Sequence, residues 1–352
     1  MSDNKSIGKF LNQLRNLEGA VNPEYNPFEN VIRSGSPSLN WIYGKGMGLP
    51  LGFSEILFGP PKSGKSLLTY MKAGDLHKND PEAVVIKFNT EMREAGQLAP
   101  YWGIDPERYI AFDVNEPELI FNRLTNDILP MIQAGLPVKY IIIDSIQGIQ
   151  GIKEMNSGDI NQHLIGDHAQ TVQKGLKQIL PMLRRHKIAL TCTAHVRANV
   201  DIGPGGKGPA TKMGGAWALK HFAEYFVSVN RAAAQEDKVD IAGQKFEKED
   251  AKDLRGNKEQ YGHKIWVKME ESSVGVAGRA GQFTLSYDQG LINTDEEIFK
   301  LGAAHGLIDQ AGAFFTINRE KFQGRAKAAM ALRESPKLQA YIMDVIAEQN
   351  RG

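Results

Sequence analysis

Cysteine is nearly absent from the chain, because Cys192 is the single one among 352 residues. One thiol excludes an internal disulfide, and it excludes a cluster of thiolates that would hold zinc or an iron–sulfur centre. Cys192 lies in the apolar run of residues 188–193, so we expect it to be a plain core residue. The sequence therefore favours neither a disulfide scaffold nor a thiolate metal site.

Long hydrophobic runs are missing as well. The longest, such as the run from Tyr140 to Ile143, are far too short to cross a bilayer. Residues 1–5 lack the apolar core of a signal peptide. We therefore expect a soluble protein that has no membrane partner and is located in the cytoplasm.

Neither sign of charge is in excess, because 42 Lys and Arg residues stand against 41 Asp and Glu residues and give a net charge of +1. Any contact with DNA must therefore come from local basic patches. The length of 352 residues exceeds that of one ordinary small domain, so we expect a large core with smaller attachments.

What the sequence does have is a complete phosphate-binding motif, GxxxxGK[ST]. Its residues are Gly59, Pro60, Pro61, Lys62, Ser63, Gly64, Lys65 and Ser66. The apolar run at 55–58 before it predicts a buried strand, and residues 67–72 after it predict the opening of a helix. A glycine turn with an incidental Lys-Ser pair is the alternative, and the flanking strand and helix disfavour it.

The motif predicts which groups hold a nucleotide. Gly59 and Gly64 allow a tight turn that points successive N–H groups at a β-phosphate, which lies at the positive end of the following helix. Lys65 would reach the β- and γ-phosphates, and the hydroxyl of Ser66 would bind Mg²⁺. The sequence thus predicts a nucleoside triphosphate and Mg²⁺ as ligands.

Apolar runs alternate with helical patterns from about residue 34 to residue 230, which predicts an α/β fold with a mainly parallel sheet covered on both faces. The predicted strands are residues 55–58, 83–88, 109–112, 139–143, 188–193 and 225–229, followed by 263–268 and 282–287. From residue 295 onward the pattern predicts a small α-rich module. Ligands of such sheets collect at the carboxyl ends of the strands, so the residues directly after each strand are the candidates for chemistry.

Three polar residues stand at the carboxyl ends of predicted strands. Glu91 follows the second strand, where a carboxylate can accept the proton of a water molecule that attacks a γ-phosphate. Asp144 ends the fourth strand, which is the position of an acid that holds hydrated Mg²⁺. His195 follows the fifth strand, where a polar side chain can contact the γ-phosphate and report its presence to the residues that follow. An isolated acid at a strand end is usually a cap, but the phosphate loop favours the catalytic interpretation.

Two glycine-containing segments, residues 155–166 and 199–215, also follow the carboxyl ends of strands. The second is too rich in glycine to hold a fixed fold alone. The basic residues in and beside these segments are Lys174, Lys177, Arg197, Lys207 and Lys212. The alternative is that both segments are dangling loops. Basic residues directly after a γ-phosphate sensor instead indicate segments that become ordered when an anionic partner binds.

The N-terminal residues carry a separate pattern. Ile7, Phe10, Leu11, Leu14 and Leu17 lie at helical spacing, which predicts a short amphipathic helix. Its apolar face packs either on a neighbouring subunit or on its own domain, and the sequence leaves both interpretations open.

With these motifs in place, the chain resembles the RecA recombinases, including the phage UvsX branch. The resemblance extends from about residue 34 to residue 333. It rests on SGSPSLNWIYGKGMGLPLGFSEILFGPPKSGKS, IIIDSIQGI, TAHVRANV followed by KMGGAWALKHFAEY, and YDQGLINTDEEIFKLGAAHGLI with AFFTINREKFQGRAKAAMALRESP. It implies a RecA-like P-loop ATPase core at residues 34–290, an N-terminal helix and connector at 1–33 that contact a neighbouring subunit, and a small C-terminal domain at 291–352.

The resemblance implies an ATP-dependent DNA recombinase with DNA-stimulated hydrolysis of ATP. ATP and Mg²⁺ would bind between protomers of a helical filament, single-stranded DNA would lie along its axis, and homologous double-stranded DNA would be paired and exchanged during recombinational repair. Mediator proteins and single-strand-binding proteins are further implied partners. The implied location is the bacterial nucleoid or the cytoplasm of a phage-infected host.

For catalysis, the resemblance makes Glu91 the water-activating glutamate and Asp144 the Walker B acid. His195 stands where bacterial members carry a glutamine sensor, so a hydrogen-bonding group is kept and sensing becomes sensitive to pH. Lys268 matches one of two lysines that reach a neighbour's γ-phosphate, while the other position holds Glu270.

For DNA, the resemblance makes residues 155–166 the first DNA loop and the segment from Arg197 to Gly215 the second. An apolar side chain of the first loop would wedge between bases, and an arginine expected shortly after it is replaced by Gln170. The implied DNA contacts are Leu164, Ile165, Lys174, Lys177, Arg197, Lys207, Lys212, Gly214 and Gly215.

Two other functions are compatible with the same nucleotide motif. A ring-forming motor such as a hexameric helicase would be expected to carry an extra N-terminal helical domain, whereas this chain offers only a short helix there. A nucleotide-dependent regulator that binds a protein partner would hydrolyse ATP slowly and without stimulation by DNA.

Overall fold

The structure is a computed structural model that describes residues 10, 12–14, 26–92, 100–149, 167–198, 211–212, 221–231, 238–239 and 262–351. The strands up to the end of its main sheet are, in chain order, β1 (Val31–Ile32), β2 (Leu49–Pro50), β3 (Ser54–Gly59), β4 (Val84–Asn89), β5 (Tyr109–Asp113), β6 (Val138–Asp144), β7 (Ala189–His195), β8 (Arg197–Ala198), β9 (Thr211–Lys212), β10 (Tyr225–Arg231), β11 (Lys238–Val239), β12 (Gly262–Ser272), β13 (Ala280–Ser286) and β14 (Gly290–Ile292). The main sheet has ten strands, and β1 with β2 and β8 with β9 form separate two-stranded ladders.

The main sheet has the order β14-β13-β12-β10-β3-β7-β6-β4-β5, and β11 pairs with β12 beside this path. The strands from β10 to β5 in this order are parallel to one another, and β12, β13 and β14 extend the sheet with antiparallel strands. This confirms the predicted α/β fold with a mainly parallel central sheet. The parallel strands form where the sequence has continuous apolar runs, because a strand covered on both faces must be apolar on both.

Helices cover both faces of the sheet. The helices before the C-terminal module are α1 (Pro37–Trp41), α2 (Lys65–Asn79), α3 (Pro117–Asn122), α4 (Leu129–Gln133) and α5 (Asp167–Arg185), and a π-helical stretch, Arg123–Ile128, joins α3 to α4. Leu68 and Met71 of α2 belong to the core on one face, and Ile120 of α3 with Val172 and Leu176 of α5 belong to the core on the other. The inner parallel strands are therefore buried between two layers of helix, whereas β5, at the edge of the sheet, leaves Ile110 and Asp113 exposed.

The C-terminal module has helices and a sheet of its own. Its helices are α6 (Thr294–Ala304), α7 (Arg325–Glu334) and α8 (Pro336–Arg351). The predicted α-rich module is thus found, but the sequence did not predict the antiparallel strands β15 (Ile308–Ala311), β16 (Phe314–Ile317) and β17 (Glu320–Gln323) between α6 and α7. Each of these strands has only four residues, and their sequences IDQA, FFTI and EKFQ do not show the apolar alternation that identifies a strand.

The N-terminal segment is described at Phe10 and residues 12–14, which are helical as predicted. Phe10 is 61% exposed and Leu14 is 59% exposed, so these two side chains do not pack on the core of their own chain. Ile7, Leu11 and Leu17 lie outside the described residues. In the part of the chain that the structure describes, we find no helix with both the length and the apolar composition needed to cross a bilayer.

Candidate active site

The phosphate-binding loop connects β3 to α2 at the centre of the parallel sheet. Gly59 ends β3, and Gly64 has a φ of 103° immediately before α2 begins at Lys65. A Cβ atom on Gly59 would lie 2.0 Å from the carbonyl oxygen of Val229, and one on Gly64 would lie 2.5 Å from Cδ1 of Ile265. Gly59 is therefore required by its close approach to the backbone of Val229, and Gly64 is favoured by its positive φ.

Lys65 is folded onto the loop that precedes it. Its Nζ donates hydrogen bonds to the carbonyl oxygens of Gly59 at 3.0 Å and Pro60 at 2.8 Å. Burial lowers the pKa of Lys65 to about 8, although the charges of Asp144 and Glu91 raise it. A phosphate beside this ammonium group would add negative charge and favour its protonated form.

Asp144 lies at the carboxyl end of β6, between β4 and β7. Its Oδ1 accepts a hydrogen bond from the hydroxyl of Thr193 at 2.5 Å. Its Oδ2 lies 3.4 Å from Nζ of Lys87, a residue of β4. The acid is therefore buried, oriented by one neighbouring strand and compensated in charge by the other.

Glu91 and His195 are in direct contact. Nε2 of His195 lies 2.6 Å from Oε1 of Glu91, and the hydroxyl of Ser145 donates to the same oxygen at 2.9 Å. Burial opposes the ionisation of Glu91, but the hydrogen bonds from His195 and Ser145 outweigh it and lower the pKa of the carboxyl. The side chain expected to accept a proton is thus held as a carboxylate by the side chain expected to sense the γ-phosphate.

Gln147 fixes the end of the strand that carries His195. Its side chain accepts a hydrogen bond from the backbone N–H of His195 at 3.0 Å and donates to the carbonyl oxygen of His195 at 3.2 Å. Sequence reasoning missed this residue, because a glutamine shortly after an apolar strand has no pattern that marks it.

A single cavity of about 440 Å³ collects these groups. The predicted residues that line it are Pro61, Lys62, Ser63, Gly64, Lys65, Ser66, Glu91, Asp144 and His195. Gly59 and Pro60 contribute the carbonyl groups that hold Lys65. The geometry therefore brings together every residue that the sequence analysis assigned to nucleotide binding and to catalysis within one subunit.

The cavity also has walls that the sequence analysis did not anticipate. The additional lining residues are Leu67, Tyr70, Lys87, Asn89, Arg231, His263 and Tyr287. Arg231 donates to the hydroxyl of Tyr287 at 2.8 Å, and Nδ1 of His263 lies 3.1 Å from the same oxygen. Burial, together with the charge of Arg231, lowers the pKa of His263 to about 4, so the imidazole of His263 is uncharged near pH 7. The one available signal was Lys87, a charge within the apolar run of residues 83–88.

Lys268 does not join the cavity of its own chain. Its Nζ lies 2.5 Å from Oε2 of Glu270, and Oε1 of Glu270 accepts a hydrogen bond from Ser228 at 2.8 Å. The lysine that the resemblance assigns to a neighbour's γ-phosphate is therefore paired with the acid that replaces its companion.

The residues assigned to DNA are only partly described. Lys174 and Lys177 are exposed on α5. Arg197 and Lys212 are opposite each other in the β8–β9 ladder, which begins two residues after His195. Leu164, Ile165, Lys207, Gly214 and Gly215 lie outside the described residues.

The donor set suits a magnesium nucleotide. Ser66 and Asp144 offer a hydroxyl and a carboxylate oxygen, which are hard ligands of the kind that Mg²⁺ prefers. The hydroxyl of Ser63 is buried within the loop without a hydrogen-bond partner in the described structure, as expected of a group that would meet a phosphate. Within the described ranges, no group of three or more His, Cys, Asp or Glu side chains could hold a metal ion.

Comparison with known proteins identifies relatives along nearly the whole chain. A family model of the RecA N-terminal domain matches residues 18–253, and a family model of the RecA C-terminal domain matches residues 296–351. Protein RecA of Sulfurovum sp. (strain NBC37-1) is 26% identical over 322 residues, which cover 91% of this chain and 83% of that relative. Protein RecA of Helicobacter hepaticus is 28% identical over 320 residues, which cover 90% of this chain and 84% of that relative.

Proposed function

The chain belongs to the RecA family, and from this premise we propose that it is an ATP-dependent DNA recombinase. It forms helical filaments on single-stranded DNA and promotes pairing and strand exchange with homologous double-stranded DNA. The observation that carries the proposal is the contact between Glu91 and His195, 2.6 Å apart in the cavity of the phosphate-binding loop. His195 ends β7, and the ladder with Arg197 follows at once.

The nucleotide half of the proposal assigns a role to each group in the cavity. Lys65 leaves the carbonyl groups of the loop and binds the β- and γ-phosphates of ATP, and the hydroxyl of Ser66 with Asp144 holds Mg²⁺. The metal, when bound, neutralises the charge that develops on the phosphates. Glu91 orients the attacking water and accepts its proton. Only an ionised carboxylate can do this, and the lowered pKa of Glu91 favours that form.

The DNA half of the proposal depends on what His195 does when ATP is bound. His195 contacts Glu91, and the γ-phosphate offers it a second acceptor, so nucleotide binding changes the hydrogen bonds at the end of β7. The backbone continues directly into the ladder that pairs Arg197 with Lys212. A shift at His195 is thereby passed to residues that would bind the phosphates of single-stranded DNA.

The assembly and its location are further parts of the proposal. Residues 1–33 contact a neighbouring subunit, residues 34–290 form the ATPase core, and residues 291–352 form the C-terminal domain. Lys268 acts on the neighbour's nucleotide once its contact with Glu270 is broken. Mediator and single-strand-binding proteins assist on DNA, in the bacterial nucleoid or in the cytoplasm of a phage-infected host.

The test is phosphate release by the full chain with and without single-stranded DNA. We expect hydrolysis of ATP by the wild type to rise when DNA is added. Glu91→Gln keeps the size of the side chain and removes the proton acceptor, so turnover should fall at least about 100-fold while binding of a fluorescent ATP analogue is retained. Glu296→Gln is a control on an exposed acid outside the cavity, and its turnover should match the wild type.

Two outcomes would contradict the proposal. Hydrolysis that DNA does not stimulate would favour a nucleotide-dependent regulator. Turnover retained by Glu91→Gln would move the general base to another residue.

A further inference from the structure

Lys87 is a buried lysine to which the proposed reaction gives no part. It lies on β4, is 2% exposed, and lines the same cavity as Lys65 and Ser66. Its Nζ donates a hydrogen bond to the hydroxyl of Tyr70 at 3.0 Å and lies 4.6 Å from the centre of that ring. Lysines are almost never fully buried without a partner, so the neighbours of Lys87 indicate what it does.

Asp144 is a charged partner of Lys87. Nζ of Lys87 lies 3.4 Å from Oδ2 of Asp144, while Oδ1 accepts from Thr193. Both oxygens of the acid are therefore engaged within the protein, and one of them already faces a cation.

Lys87 lies next to the proposed metal site. Lys87 and Asn89 point to the same face of β4, because side chains alternate along a strand. Tyr70, which holds Nζ of Lys87, lies one helical turn after Ser66 on α2, so their side chains share one face of that helix. The ammonium group therefore lies beside the place where Ser66 and Asp144 would hold Mg²⁺.

We propose that Lys87 is the internal counter-ion of Asp144, a positioning residue that makes binding of Mg²⁺ conditional on a nucleotide. The inference rests on the proposed function, since it concerns the same site. Two cations beside one carboxylate repel each other, so Lys87 weakens the attraction of Asp144 for a free divalent ion. The phosphates of a nucleotide add enough negative charge to outweigh this repulsion, and the metal and the nucleotide then bind as a pair.

The experiment measures Mn²⁺ binding to the full chain in the absence of nucleotide, from the spectroscopic signal of the free ion. Lys87→Met removes the charge and keeps most of the side-chain length, and Lys87→Arg keeps the charge. We expect Lys87→Met to bind Mn²⁺ at least about tenfold more tightly than the wild type, and Lys87→Arg to stay within about twofold. With saturating ADP the difference between wild type and Lys87→Met should shrink.

The double variant Glu55→Gln with Lys72→Met is the matched control, because it removes a second buried lysine without leaving its partner as an uncompensated charge. Lys72 is 1% exposed and lies on α2, but it pairs with Glu55 and does not line the cavity. Its replacement removes a buried positive charge without touching Asp144, so the affinity for Mn²⁺ should equal that of the wild type. A merely structural role of Lys87 would make the two variants behave alike.

A failure of Lys87→Met to fold is also decisive. If Lys87 is a counter-ion that a metal can replace, Mg²⁺ without nucleotide should restore the fold of Lys87→Met, and sodium chloride of equal ionic strength should not. Unchanged affinity for Mn²⁺ in a folded variant, or an unfolded variant that Mg²⁺ does not rescue, would overturn the proposal. Neither ATP nor DNA enters this measurement, so its failure leaves the proposed recombinase function standing, and loss of DNA-stimulated hydrolysis leaves the Mn²⁺ comparison valid.

Discussion

Two charged side chains are buried in the core beside the phosphate-binding loop. Lys72 of α2 forms a buried ion pair with Glu55 of β3. Nζ of Lys72 also donates to the hydroxyl of Tyr43 at 2.8 Å, and Glu55 accepts from Thr191 at 2.5 Å. Burial lowers the pKa of Lys72, and the charge of Glu55 opposes this shift. The pair therefore links the strand and the helix on either side of the loop.

Removing one partner of this pair should destabilise the protein strongly. Lys72→Met leaves Glu55 as an uncompensated buried charge, and we expect the free energy of unfolding to fall by about 3–5 kcal/mol. The double variant Glu55→Gln with Lys72→Met has no buried charge and keeps an acceptor for Thr191, so it should recover at least half of that loss. Urea unfolding of the wild type, both single variants and the double variant gives the coupling energy. A double variant as unstable as the sum of the single ones would show that the two charges act independently.

Whole elements show which parts of the fold and site a sequence can reveal. The six parallel strands were predicted close to their bounds. The inner strands are buried between helices and must be largely apolar, and the edge strand β5 was recognised from its short apolar run although it is partly exposed. Glu91, Asp144 and His195 were predicted from their places after those runs. The strands β15, β16 and β17 were not, since tertiary contacts with α6 and α7 hold such short, partly exposed segments. Lys87 was missed for a related reason, because its part in the site arises from a contact with the neighbouring strand β6.

The β8–β9 ladder is the element that links nucleotide to DNA in the proposed function. Arg197→Ala should weaken binding of single-stranded DNA in the presence of an ATP analogue and leave binding of the analogue itself unchanged. Loss of one phosphate contact should also reduce the salt dependence of log K by about 0.7. Fluorescence anisotropy of a labelled oligonucleotide at several salt concentrations measures both effects. Lys45→Ala, at an exposed lysine outside both predicted DNA loops, is the control, and equal losses in the two variants would contradict a specific role of the ladder.

At the scale of the whole molecule, one buried acid joins the C-terminal module to the core. Glu297 of α6 accepts hydrogen bonds from the hydroxyl of Ser36 at 2.6 Å and from the backbone N–H of Ser38 at 2.9 Å. Ser36 is also the N-cap of α1, where its side chain accepts from the N–H of Leu39. Oε1 of Glu297 is buried and has no hydrogen-bond partner in the described structure. At this junction, hydrogen bonds therefore stabilise the charge on only one of the two oxygens of the Glu297 carboxyl group.

This junction should make the stability of the molecule depend on pH. Burial raises the pKa of Glu297 to about 7 from 4.5, although the hydrogen bonds from Ser36 and Ser38 lower it. Between these two values the folded state binds more protons than the unfolded state, so the free energy of unfolding contributed by Glu297 falls as pH rises, by about 3 kcal/mol in total. Glu297→Gln keeps an acceptor for both serines and cannot ionise. The difference in unfolding free energy between wild type and Glu297→Gln should therefore change by that amount between about pH 4 and about pH 8, two values that lie on either side of this window. Urea unfolding at both pH values measures this change, with Glu296→Gln as the control on an exposed neighbour. A difference that stays constant with pH would show that folding does not shift the pKa of Glu297.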